Sequence, residues 1–353
     1  MPKKYMKKRI LVAPLNWGLG HATRCIPIIN ALLHLGFEPI IASDGDALYL
    51  LKKEFPELTF ETLPKYAISY PKNSIFFKWK LLFDTPFILK AIRKERQITE
   101  CLIEKYKLSG IISDNRLGVY STTIPSVYIT HQVQVLSGNT TFLSSKIHQH
   151  FIKYFTECWV PDFENDPNLS GVLGHPDTTS LVLKYIGPLS RLNPQLLPKR
   201  YDIMILLSGP EPQRQFLEDE LLAAFRNFKG SVLVVRGVVE PQQTITQNSP
   251  FTTYNFMQRD ALGNAINSSE IIISRSGYTT IMDLAKLNKK VYFIPTPGQF
   301  EQEYLAERLQ DLKTIPYCKQ GEFTIEGLAK LKDYSGFKSK LPLTDFEVLF
   351  RLF

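Results

Sequence analysis

A chain of 353 residues, 44% apolar and 22% charged, is long enough for two domains with separate cores and has the composition of a globular protein. No window approaches the ~20 apolar residues that a membrane-spanning helix needs. The net charge of +8 admits three kinds of partner: nucleic acid, an anionic membrane surface or an anionic substrate. The chain shows no basic recognition helix, no aromatic single-strand-binding signature and no zinc-ligand spacing, which argues against nucleic acid.

Lys3, Lys4, Lys7, Lys8 and Arg9 precede an apolar run, Ile10 to Leu15, that is too short for a signal peptide and reads as a first strand. Cys25, Cys101, Cys158 and Cys318 are far apart, without the paired spacing of a metal site or a disulfide framework. Together these features point to a reducing, cytoplasmic compartment. Strand-like runs at 9–14, 38–43, 59–63, 109–113, 126–130 and 157–160 alternate with helical patterns, which predicts an α/β fold with a doubly wound, mostly parallel sheet. The first junction, Asn16-Trp17-Gly18-Leu19-Gly20-His21, feeds a helix that runs through Leu35 and closes at Gly36. It lacks the third glycine of a dinucleotide fingerprint, and Asp44 is the nearest acidic residue to the second strand. Asp44-Gly45-Asp46 reads as a turn and helix cap rather than as a metal-holding acidic pair.

Between Asn73 and Arg96, five large aromatics (Phe76, Phe77, Trp79, Phe83, Phe87) are interleaved with six basic and two acidic residues. Phe76, Trp79, Phe83 and Phe87 share a helical face, and Pro86 is expected to break the run into two helices. Two readings stand: an interfacial helix on a membrane surface, or aromatics packed on the sheet beside solvated charges. Farther on, Ser113-Asp114-Asn115-Arg116 ends a strand, at the sheet edge where α/β folds collect functional groups. The polar loop Thr130-His131-Gln132-Val133-Gln134 follows the next strand.

Residues 187–200 hold three prolines and little periodicity, and read as a linker. The second half restarts with a strand, Asp202 to Leu207, and a turn, Ser208-Gly209-Pro210-Glu211-Pro212. Strands near 231–236 and 252–256 and a helix at 259–267 follow. Then Ile271-Ile272-Ile273 runs into Ser274-Arg275-Ser276-Gly277-Tyr278-Thr279-Thr280, where a helix begins. A helix N-terminus offers unpaired N–H groups and partial positive charge to phosphate, and Gly277 lets the backbone approach a ligand. Asp283 sits where a carboxylate accepts from ribose hydroxyls. After a strand, Val291 to Pro295, the loop Thr296-Pro297-Gly298-Gln299-Phe300 leads to Glu301-Gln302-Glu303. Phosphate, ribose and a polar sugar-reading loop, in that order, describe a nucleotide-sugar site.

This stretch resembles the donor-binding signature of family 28 glycosyltransferases, the group containing the peptidoglycan enzyme MurG and galactolipid synthases. Other segments carry the resemblance across most of the chain. Gly18-Leu19-Gly20-His21 is similar to the family's N-terminal Gly-Gly-His loop. Gln134 stands at the family's cleft-facing asparagine, and Arg191, in Gly187-Pro188-Leu189-Ser190-Arg191, at its donor-facing arginine. Gly209 falls in the family's glycine-rich loop, where two prolines in this version leave fewer N–H donors.

The resemblance implies a GT-B fold, two Rossmann-like domains facing across a cleft. Residues 1–190 would bind the acceptor and 191–353 the donor. It implies a hexosyltransferase that moves GlcNAc or another hexose from a UDP-sugar, with inversion and without a metal or other cofactor, to a hydroxyl acceptor of the lipid-linked kind. The donor would lie on Arg191, Gly209, Ser276, Gly277, Tyr278, Thr279, Asp283, Gln302 and Glu303. The acceptor side would use Gly18, Gly20, His131 and Gln134. His21 is the expected catalytic base and Asp114 the second choice. The family pair at Gln302 and Glu303 is two glutamines, so Glu303 leaves the sugar open. Residues 73–96 would place the enzyme peripherally on the inner face of the membrane. Two other readings stay open: hydrolysis or epimerisation of the nucleotide sugar, and a non-catalytic nucleotide-sugar or lipid-binding protein. The tail, Leu341 to Phe353, is amphipathic and is expected to pack back across the domains.

Overall fold

The computed structural model describes residues 7–66, 77–238, 240–337 and 344–353, with the backbone alone for 77–86 and for Arg259. The apolar runs of the first half form β1 (Arg9–Pro14), β2 (Glu38–Ser43), β3 (Thr59–Thr62), β4 (Leu108–Asp114), β5 (Ser126–Ile129), β6 (Glu157–Val160) and a short β7 (Leu183–Tyr185). They make one parallel sheet in the order β3-β2-β1-β4-β5-β6-β7. A parallel sheet covered on both faces wants apolar residues along the whole strand, not every second one. Accordingly Ile10, Leu11, Val12 and Ala13 of β1 are all fully buried, and each large aliphatic side chain contributes about 1.5–3 kcal/mol by leaving water. Helix α1 (Gly20–His34) follows β1 and ends where Gly36 takes a left-handed φ of +83°. Then come α2 (Gly45–Glu54), α3 (Phe77–Tyr106) and α4 (Thr141–Ile152).

Helix α3 corrects one expectation: it runs unbroken through Pro86. A proline forfeits one backbone hydrogen bond and crowds one carbonyl. The long helical stretch beyond it is anchored by Ile92, Glu95, Thr99 and Leu102, all buried at helical spacing. Of the aromatic stretch 73–96, Phe76 and the side chains of Phe77, Trp79 and Phe83 lie outside the described residues. Phe87 is 65% exposed, and Lys90, Arg93 and Lys94 are exposed near it.

The second half forms β8 (Tyr201–Leu206), β9 (Val232–Val235), β10 (Ile245–Asn248), β11 (Phe251–Tyr254), β12 (Ser269–Ser274) and β13 (Lys290–Phe293), with helices α5 (Gln213–Ala224), α6 (Arg259–Asn267), α7 (Tyr278–Lys286) and α8 (Phe300–Asp311). The sheet order is β10-β11-β9-β8-β12-β13, parallel except for the β10–β11 hairpin. One face packs Ile203, Ile205, Val232, Val234 and Ile273 against Leu217, Leu221 and Phe225 of the α5 segment.

Contacts divide the chain into two units, Met1–Leu189 with Leu343–Phe353, and Ser190–Pro342. The first crossing falls within one residue of the expected linker boundary. The tail differs from its expected assignment: it belongs to the first unit, not the second. Its short helix α9 (Phe346–Phe350) puts Phe350 on Phe37 and Trp159 and Phe353 beside Trp159. Apolar spacing in the tail marked it as a packing element but did not say on which sheet.

Candidate functional site

In an open parallel sheet, ligands gather at the carboxyl ends of strands where the strand order reverses, because the adjoining loops diverge there. In the first unit this point lies between β1 and β4, and in the second between β8 and β12. The predicted residues cluster at both.

In the first unit, β1 delivers α1 and with it His21 and Arg24, while β4 ends on Asp114. Asp114 is fully buried and Arg24 is 1% exposed. The guanidinium grips the carboxylate through Nε and Nη2, a bidentate ion pair. The other short contact of Asp114 Oδ1 is with His21 Nδ1, at 2.7 Å. His21 Nδ1 also lies 2.9 Å from Arg24 Nη2, and Arg24 Nη1 reaches His131 Nδ1 at 3.2 Å. Burial alone would raise the Asp114 pKa, but the charges and hydrogen bonds of Arg24 and His21 overcome it and hold it at about 2. Burial lowers the His21 pKa, helped by Arg24 and opposed by Asp114, so its neutral form prevails at pH 7. An ionised carboxylate 2.7 Å from Nδ1 favours the tautomer with the N–H on that nitrogen and the lone pair on Nε2, against the Arg24 Nη2 donor that faces the same atom. The ring is 14% exposed. Asp114, the second-choice base, is thus placed as the holder of His21 and not at the surface.

His131 is buried at the end of β5, while Gln134 is partly exposed and held through its backbone N–H on Leu173 O at 2.9 Å. Gly18 takes a left-handed φ of +73°, with open space where a side chain would be; Gly20 opens α1. Asp44 precedes α2 as expected, but its carboxylate does not cap the helix. It pairs with the fully buried Arg116, which also donates to Glu95 Oε1 at 2.7 Å and to Pro14 O at 2.9 Å.

In the second unit, Gly277 is the N-cap of α7 and brings no side chain to cap it. Ser276 and Tyr278 are buried, while Thr279 and Thr280 are half-buried. Asp283 accepts a hydrogen bond from Ser190 Oγ at Oδ1. Lys286 Nζ binds Ser190 O at 3.0 Å. Burial raises the Asp283 pKa to about 6, against the Ser190 bond and the charges of Arg191 and Lys286. A ribose gripping both carboxylate oxygens would have to share Oδ1 with Ser190 or displace it.

The loop after β13 is braced by the pair expected to read the sugar. Gln302 Oε1 accepts from Thr296 N at 2.9 Å, its main-chain oxygen accepts from Ser276 Oγ at 2.7 Å, and Glu303 Oε1 accepts from Gly298 N at 2.8 Å. Gly209, at φ +106°, occupies the turn after β8. Arg275, buried and held down to about 10 by desolvation, ties the turn to Ile294 O and Pro295 O and to Gln213 O and Gln320 Oε1. Its place in the motif is therefore structural. Sequence reasoning missed Arg24, whose partners lie 90 and 107 residues away. It also missed the state of the loop hydroxyls, which depends on burial.

The solved glycosyltransferase of kitacinnamycin shares this fold, with a TM-score of 0.64 at 11% identity over 92% of this chain and 90% of that one. The chain has the GT-B fold, built from two Rossmann-like domains. Residues 214–339 match the glycosyltransferase family 28 C-terminal domain. An uncharacterized glycosyltransferase of Methanopyrus kandleri is 21% identical over 79% of this chain and 83% of its own length. The UDP-N-acetylglucosamine–N-acetylmuramyl-(pentapeptide) pyrophosphoryl-undecaprenol N-acetylglucosamine transferase of Haemophilus ducreyi is 21% identical over 92% and 89%. The protein is a glycosyltransferase, similar in its second half to family 28 enzymes and along most of its length to the N-acetylglucosamine transferase of Haemophilus ducreyi.

Proposed function

We propose that the protein transfers a hexose from a UDP-sugar to a hydroxyl on a lipid-linked acceptor, with inversion at the anomeric carbon and without a metal. The observation that carries this reading is the 2.7 Å contact of His21 Nδ1 with the buried Asp114 carboxylate, which in the Nδ1–H tautomer leaves Nε2 as the basic nitrogen. The acceptor oxygen attacks the anomeric carbon as the bond from that carbon to the diphosphate breaks. The electron pair leaves with the diphosphate, and the acceptor proton passes to His21 Nε2. The N–H groups at the start of α7 and the Arg191 guanidinium stabilise the departing diphosphate, which gives this site a positive field of its own. Asp283 takes the ribose. Tyr278, whose ring is buried, contributes through its backbone N–H. The relative from Haemophilus ducreyi bears in its name both UDP-N-acetylglucosamine and an undecaprenol acceptor, which supports GlcNAc and a lipid-linked hydroxyl as the first pair to try.

Work at the inner face of the membrane fits the surface of the first unit. Phe87 and Leu89 of α3 are exposed beside Lys90, Arg93 and Lys94, and α4 exposes Phe142, Leu143 and Ile147 beside Lys146. Among the described residues no helix is long and apolar enough to cross a membrane, so the proposed association is peripheral, through exposed apolar side chains and basic charge. The test is transfer from radiolabelled UDP-sugars to polyprenyl-diphosphate and simpler hydroxyl acceptors. Label in the acceptor supports the proposal. Free sugar released without acceptor points to hydrolysis, and binding without turnover points to a binding protein; either result overturns it.

A further inference from the structure

The loop between β13 and α8 holds a hydroxyl that the fold does not satisfy. Thr296 is 5% exposed, and its Oγ1 has no hydrogen-bond partner among the described residues. The rest of the residue is firmly placed. Its N–H donates to Gln302 Oε1 at 2.9 Å, and Gln302 is fixed in turn by the Ser276 hydroxyl on its main-chain oxygen at 2.7 Å. An unsatisfied buried hydroxyl is a liability that a valine of the same shape would not carry.

Two glycines border this group. At Gly209, left-handed at φ +106°, an added Cβ would lie 3.8 Å from Thr296 Oγ1. At Gly277, the entry to α7, an added Cβ would lie 4.0 Å from Gln302 Nε2, with no atom nearer. The ends of β8 and β12 therefore meet Thr296 and Gln302 with bare backbone, and no side chain from either glycine covers them. Around these glycines stand a hydroxyl, a side-chain amide N–H and the N-terminus of α7. All three can donate hydrogen bonds, and the helix end adds positive potential, so the matching ligand is an anion with several oxygens.

We propose that Thr296 Oγ1 donates a hydrogen bond to the diphosphate of the nucleotide-sugar donor, and that Gln302 is the positioning residue that sets the loop for it. This assignment rests on the reading of the second unit as the donor-binding unit. Gln302 spends Oε1 on holding Thr296 in place, and Nε2 is the part of its amide that faces Gly277.

Calorimetry on the full chain with UDP, uridine and a UDP-sugar tests this, using Thr296→Val and Thr296→Ser. Loss of one hydrogen bond to a charged group predicts that Thr296→Val binds UDP and the UDP-sugar about ten- to a hundredfold more weakly. Uridine affinity is unchanged, the Tm of the free protein is equal to or above wild type, and Thr296→Ser stays within about threefold of wild type. Equal UDP affinity in wild type and Thr296→Val overturns this inference alone. So does an equal loss for UDP and uridine, or a lower Tm in Thr296→Val, either of which marks a structural role. Failure of the wild type to bind any uridine nucleotide overturns the donor reading and this inference with it.

Discussion

Lowering the pH from about 8 to about 5 should weaken binding of a UDP-sugar along the titration of one carboxylate. Asp283 is partly buried on α7, and desolvation raises its pKa to about 6 despite the Ser190 hydrogen bond and the charges of Arg191 and Lys286. A ribose hydroxyl needs the ionised form as its acceptor. The apparent Kd should be level above about pH 7 and then rise tenfold per unit below the pKa, giving about tenfold weaker binding at pH 5. A UDP-sugar is the right probe because the terminal phosphate of free UDP has its own proton near pH 6. Calorimetry at constant ionic strength reads the curve. Asp283→Asn should abolish the pH response and bind about ten- to a hundredfold more weakly at pH 8. Its fold is a built-in control. The native pKa lies above the unfolded value of 3.8, so this group's stabilisation is present at low pH and lost as pH rises through about 6. The asparagine variant should therefore melt no lower than wild type at neutral pH. A flat affinity between pH 5 and 8, or wild-type affinity in Asp283→Asn, refutes the ribose assignment.

Replacing His21 with glutamine or alanine should lower kcat by about 10²–10⁴ while leaving UDP-sugar affinity and Tm nearly unchanged; turnover within about threefold of wild type in both would make His21 a structural residue. Phe87→Ser combined with Phe142→Ser should weaken sedimentation with anionic vesicles at unchanged Tm, since both rings are exposed, and undiminished binding would move the contact elsewhere. Gly110→Val should lower Tm by several degrees, because even a Cβ at that position would sit 2.1 Å from Phe353 Cδ1. Adding Phe353→Ala should restore part of the loss, and no recovery would mean that the clash lies with other atoms.

The strands were readable because buried parallel strands are apolar end to end: β1, β2 and β6 fall where their runs predict. The strands that went unread are edge strands without such runs. Residues Ile245–Asn248 of β10 are all exposed, and Leu183–Tyr185 of β7 are only half-buried. Pro86 misled because a breaker is a local signal, whereas the burial of Ile92, Glu95, Thr99 and Leu102 is set by the sheet beneath them. At the candidate sites, chemistry tied to a turn was visible, as with His21 after its glycines and Gly277 before α7. What was not visible is whatever depends on distant partners. Arg24 reads as an ordinary helix arginine until β4 places Asp114 beside it. Gln302 and Glu303 resemble sugar readers, yet their hydrogen bonds run to the backbone of their own loop.

The return of the tail to the first sheet makes the second unit an insertion in the first. Residues 190–342 are one uninterrupted block, entered once and left once, whereas the first unit is assembled from two pieces of chain. Recombination between relatives inherits that asymmetry. The second unit can be exchanged as a single cassette cut at both seams, leaving the host's Phe350 and Phe353 on Trp159 and the Lys8 ammonium on Phe353 O at 2.8 Å. A chimera joined only at the first seam would import a foreign tail, and its mismatch would register in the stability of the unit that carries His21.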